Sequence, residues 1–137
     1  MSLRALPLIV IPFILYNIVV LFSGGAHAGD VLRKGIFELP MVGGARLRFS
    51  MGCLLLLVTM FMLFFELIKA TYTSSASLLD HGLSMLVFIA CLVEFLLVPQ
   101  AATSVFFFIM IATLIDVVAG FMIGIRTARR DLNIGDH

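Results

Sequence analysis

The sequence predicts an all-α integral membrane protein: an antiparallel bundle of four transmembrane helices with one short extracytoplasmic loop. Three observations predict it. Of 137 residues, 62% are hydrophobic and 12% charged, more apolar side chain than a soluble domain of this length can hide. Four stretches, roughly 5–23, 51–70, 82–98 and 103–125, approach the length needed to cross a bilayer, about 20 mostly apolar residues. Those runs are continuous, which argues against alternating lipid-facing strands. Residues 1–137 therefore read as a single transmembrane domain with an outer loop at 24–50.

The first span follows Arg4 and carries Pro7 and Pro12, which bend its first half without breaking it in a bundle. It runs into Ala26-His27-Ala28, an A-x-A pattern that also fits a signal peptide cleaved after Ala28. The apolar run of about 18 residues exceeds a typical h-region of roughly 7–15. Tyr16 and Asn17 also interrupt it, so a retained helix is the expectation.

In the loop, Phe37, Leu39 and Met41 alternate on one arm and Ala45, Leu47 and Phe49 on the other, around Gly43-Gly44. This predicts a β-hairpin with a primed turn. Pro40 suits an edge position. A lone two-stranded hairpin is marginal in water, so it is expected to lie on the helix ends or on a partner.

The second span ends with Glu66 and Lys69, three apart on one helix face and placed to snorkel to the interface. A polar turn follows, and Ser77-Leu78-Leu79-Asp80 has the form of a capping signal, with His81 in the first turns of the next helix. In the third span Ser84, Cys91 and Glu94 fall within about 80° of arc, one mildly polar face. Pro99 ends that span. Pro99-Gln100-Ala101-Ala102 leaves room only for a tight turn, so spans three and four are neighbours. Thr103 or Ser104 caps the last helix.

The fourth span carries Ala112, Asp116, Gly120 and Gly124 every four residues, a stripe of small residues around one charge. Gly120 and Gly124 invite close approach by another helix. The expected neighbour is span one or two, with a second copy of the chain as the alternative. Arg126, Arg129 and Arg130 follow as a topology anchor that also suits anionic lipid headgroups.

Orientation rests on those arginines and on Arg4 before the first apolar run. They place both termini in the cytoplasm and residues 24–50 outside. Cys53 and Cys91 read as small core residues, too far apart in depth for a disulfide at roughly 10 Å.

Glu66, Lys69, Glu94 and Asp116 are the candidate intramembrane polar or proton-path residues, because burying charge in lipid is costly. At 1.5 Å per residue, Asp116 lies about 3 Å and Glu66 about 8 Å to the cytoplasmic side of centre. Glu94 and Asn17 lie about 5 Å to the outer side. Asp116 thus shares a layer with Glu66 and Lys69, and Glu94 is set to pair with Asn17, Tyr16 or a hydroxyl.

Sharper chemistry is not signalled. No H-x-x-x-H, HExxH, cysteine cluster, G-x-S-x-G or P-loop occurs, and His27, His81 and His137 are scattered. No catalytic residue, metal or cofactor is expected. A net charge of +1 offers nothing to nucleic acid.

The four-span layout superficially resembles the small multidrug resistance transporters. That family carries its essential glutamate in the first helix, where this chain has only Asn17 at comparable depth, and the loop here is longer and charged. Its function is not transferred. Over 80–131 (DHGLSMLVFIACLVEFLL … TSVFFFIMIATLIDVVAGF … ARRD) the chain resembles small uncharacterised bacterial four-helix inner-membrane proteins. That implies a bacterial inner (plasma) membrane, with the bilayer as first partner, and no particular activity.

The leading expectation is a structural or accessory component of a membrane complex, partnered by other subunits or by itself. The alternative is a small homo-oligomeric proton- or cation-coupled transporter or channel that uses the intramembrane carboxylates. An enzyme is not expected, because no polar side chains converge on a site.

Overall fold

The computed structural model describes residues 6–23, 27–72 and 75–135. The order is α1 (Val10–Leu21), α2 (Ala28–Arg33), β1 (Gly35–Pro40), β2 (Arg46–Ser50), α3 (Met51–Lys69), α4 (Ser75–Leu97), a 3-10 turn at Pro99–Ala101 and α5 (Ser104–Gly135). Three helices are long and apolar enough to cross a membrane: all of α3, α4 over Leu79–Leu97, and α5 over Ser104–Arg126.

The first apolar segment departs from its expected length. Only 12 residues are helical, about 18 Å of rise. Pro7 disfavours helical backbone at Leu6, and the chain before Val10 is a bend and turn. Pro12 is tolerated in the first turn of α1, where the amide it lacks would have no intrahelical partner. Residues 24–26, which include Ala26 of the A-x-A pattern, lie outside the described residues, as do residues 1–5.

The long helices agree with the apolar runs. Ser50 caps α3 by accepting from the Cys53 amide at 3.3 Å. Helix α4 begins at Ser75, so Ser77 lies inside its first turn rather than at its cap. The 3-10 turn reverses the chain, and Thr103 Oγ1 accepts from the Phe106 amide at 3.2 Å to cap α5. Helices α4 and α5 are thereby antiparallel neighbours, with α3 against α5 and α1 packed against α3.

Burial in α5 follows the helical period: Phe106, Ile109, Met110, Thr113, Asp116, Val117 and Gly120 face inward, while Phe108, Ile115, Val118, Met122 and Ile125 are exposed. The core joins Tyr16 and Val20 of α1, Leu32 of α2, Leu55 of α3, Cys91 of α4 and Phe106, Ile109 and Met110 of α5. Tyr16 stands edge-on to Phe106, ring centroids 4.9 Å apart. Its hydroxyl is 2.7 Å from both the Gln100 carbonyl and Thr103 Oγ1. Both cysteines are free; Cys91 is buried as expected, but Cys53 is exposed.

The hairpin forms in the expected register, with Phe37 opposite Phe49 and Leu39 opposite Leu47. Its turn is not the primed Gly-Gly type, which needs positive φ at Gly43. The Gly44 amide instead bonds the Met41 carbonyl at 3.0 Å, and Gly44 alone takes positive φ, +91°. Val42 and Gly43 therefore form the centre of the turn, and Gly44 supplies the left-handed step. Nor does the hairpin lie on the helix ends: β1 is exposed throughout, and β2 is partly covered only at Phe49 and Ser50.

Tyr16→Phe deletes the hydroxyl between α1 and the α4–α5 turn. The expected loss is about 1 kcal/mol, read as an earlier midpoint in denaturant titration of the detergent-solubilised protein, with helix content unchanged.

Candidate functional site

The charged residues that the sequence singles out separate into two layers. At the end of the bundle carrying the α3–α4 turn, Lys69 is the hub. Its ammonium lies 3.0 Å from Glu66 Oε1 and 3.2 Å from Asp80 Oδ1, and donates to the Leu6 carbonyl at 2.8 Å. Glu66 Oε1 also accepts from the Leu8 amide at 2.7 Å. Glu66 is 2% exposed, so it does not snorkel. Burial forces it to find partners, and the unwound backbone before α1 supplies one of them.

Asp80, read from sequence as part of a cap, is buried and pairs with Lys69 across the turn. His81, read as an isolated histidine, is also buried. Its ring lies against Gly120, where a Cβ would stand 2.8 Å from Cε1, and beside Gly124 and Phe121. Within this chain the neighbour packed over this glycine pair is thus α4, rather than the first or second span. The groove is filled by an imidazole rather than a helix backbone. One turn further along each helix, Ser84 Oγ faces the Asp116 carboxyl without a well-formed hydrogen bond. Asp116 is 3% exposed and within electrostatic range of Glu66, Asp80 and Lys69.

Among the described residues, the buried side-chain polar atoms without a hydrogen-bond partner in the protein are Glu66 Oε2, His81 Nε2, Ser84 Oγ and Asp116 Oδ2. All four belong to this one cluster. Native interiors leave few such atoms, each a marker of strain, chemistry or a bound small species. Three carboxylates here face one ammonium and one imidazole.

The second layer is at the hairpin end. Asn17 Nδ2 donates to Glu94 Oε2 at 3.2 Å and to the Phe13 carbonyl at 3.0 Å, and Tyr16 with Thr103 completes it. Between the layers Cys91 and Thr113 meet, both fully buried. The inward face of α4 thus runs Asp80, His81, Ser84, Cys91, Glu94, about 21 Å of rise, with Thr113 and Asp116 of α5 beside it. Among the described residues no three His, Cys, Asp or Glu side chains are arranged to hold a metal ion. A cavity of about 780 Å3 opens at the hairpin end, lined by His27, Arg33, Ser50, Gln100, Thr103 and Ser104 among others. Ala112 is buried in the seam. Arg126 and Arg129 are exposed on α5, and the side chain of Arg130 lies outside the described residues.

Sequence reasoning missed Asp80 and His81. The signal was present: Ser84, Cys91 and Glu94 mark one face of α4, and 80 and 81 extend that face by one turn. No family model, no curated protein and no solved structure matches this chain.

Lys69→Met leaves two buried carboxylates without their cation. The expected cost is at least about 2 kcal/mol, measured as in the Tyr16 comparison. Adding Glu66→Gln and Asp80→Asn to the same chain is expected to recover much of it.

Proposed function

We propose that this is a four-span protein of the bacterial inner membrane, with both termini in the cytoplasm. Its buried acid cluster takes up a proton or a monovalent cation and passes it along the α4–α5 seam, as in a small proton- or cation-coupled transporter or channel. The observation that carries the reading is the cluster around Asp116: three carboxylates against one ammonium and one imidazole, with four buried polar atoms that make no well-formed hydrogen bond within the protein. In an apolar surround such an acid excess calls for a proton or cation. Ser84, Cys91 and Thr113 lead from it toward Glu94.

In this reading α1, with its lead-in from Leu6 and the turn at Phe22–Ser23, is a retained fourth crossing. Its support is that Tyr16 and Val20 fill the common core. The orientation puts the Lys69 cluster near the cytoplasmic face, continuous with the positive residues of α5.

A second reading is an accessory subunit in which these groups serve only to hold helices together. The completed contacts Tyr16–Thr103 and Asn17–Glu94 favour it. Purification in mild detergent separates the two: co-elution with other subunits supports the accessory role.

Asp116→Asn keeps the shape of the side chain and removes its titration. The expected outcome in proteoliposomes is a folded protein whose proton- or cation-driven flux falls at least about tenfold, the scale of losing a positioned proton carrier. Parent-like flux in the variant would reject the relay.

A further inference from the structure

We propose that the β1–β2 hairpin lies on the membrane surface, its apolar face in the acyl–headgroup boundary and its cationic face toward anionic lipid phosphates. The inference rests on the membrane reading of α3 but not on proton uptake.

The register sorts the two faces. Phe37 with Phe49 and Leu39 with Leu47 stand on one side, and Glu38 with Arg48 and Pro40 with Arg46 on the other. The two phenylalanine rings stack, centroids 4.9 Å apart and 12° from parallel. Among the described residues nothing covers that face: Phe37, Leu39 and Leu47 are each nearly half exposed, and Val42 at the tip is fully so. An isolated hairpin with one bare apolar face is unstable in water.

The covering phase follows from where the hairpin is rooted. Strand β2 ends at Ser50, and Ser50 is itself the cap of α3, so no linker separates the sheet from a membrane-length apolar helix. The Met51 amide bonds the Lys34 carbonyl at 3.0 Å, which ties the other arm to the same level. Both arms are therefore rooted where α3 enters its apolar surround, β1 by its first residue and β2 by its last, and the nearest apolar phase is the bilayer. Charge agrees. Residues 28–50 hold Arg33, Lys34, Arg46 and Arg48 against Asp30 and Glu38, a net excess of two cations. Among the described residues only Arg46 of these four is in an ion pair, a long one of 3.7 Å to Glu38. Amphipathic elements with one apolar and one cationic face lie in this zone, and guanidinium groups suit phosphate.

The chain contains no tryptophan, so a single introduced one reports its own surroundings. Full-length Leu39→Trp, Glu38→Trp and Phe64→Trp proteins would be reconstituted in phosphatidylcholine vesicles with and without phosphatidylglycerol, and with lipids brominated high on the acyl chain. Phe64 is exposed on α3, and its variant tests the membrane reading alone. The proposal expects blue-shifted emission from Leu39→Trp that loses most of its intensity to brominated lipid, with Glu38→Trp much less affected. It also expects deeper quenching when phosphatidylglycerol is present, and loss of that difference in Arg46→Gln/Arg48→Gln. Solvent-like emission from Leu39→Trp beside a quenched Phe64→Trp overturns it. So does a blue shift that brominated lipid leaves untouched, the signature of a protein partner or second copy. Equal quenching in both vesicles overturns the headgroup contact. An unquenched Phe64→Trp overturns the membrane reading beneath both proposals.

Discussion

A single ammonium, Lys69 Nζ, organises one end of this protein. It joins the Glu66 carboxylate of its own helix, the Asp80 carboxylate of the next, and the Leu6 carbonyl in the chain before α1. None of these contacts is optional in an apolar surround, where an unpartnered charge is far more expensive than in water. Glu66 in turn holds the Leu8 amide, so the unwound start of α1 is bound to the end of α3. The α3–α4 turn is bound from the other side through Asp80. Three elements thus converge on one cation.

That convergence sets the seam between α4 and α5. With the start of α4 held at Asp80, the next residue, His81, falls over Gly120 and Gly124, and Ser84 falls beside Asp116. Glycines usually let two helix backbones approach. Here they make room for an imidazole, so a stripe of small residues becomes a socket for a polar ring. The seam closes at the other end through the Pro99 turn, the Thr103 cap and the Tyr16 hydroxyl.

Much of this was legible in the residues. Long apolar runs and the Pro99 break locate α3, α4 and α5, because continuous apolar stretches of about 20 residues have few alternatives to helix. The hairpin is legible in its alternation, and its turn is not, because two adjacent glycines do not say which one takes positive φ. The short α1 was hidden behind composition: its lead-in is apolar, yet Pro7 keeps it out of the helix. At the site, Glu66, Lys69 and Asp116 stood out as charges inside apolar runs. Asp80 and His81 did not, because they lie in a polar turn where charge is ordinary. Only the path of the chain brings them beneath Asp116.

The proposed role requires the Asp116 cluster to hold more acid than its cations neutralise and to carry an exchangeable proton or cation. The most direct test is infrared difference spectroscopy on the reconstituted protein, titrated with acid and monovalent salt, comparing the parent with Asp116→Asn. The expected result is a carboxyl signal that interconverts between acid and carboxylate, shifts in deuterated water, and is lost in the variant. Identical difference spectra from parent and variant would contradict it.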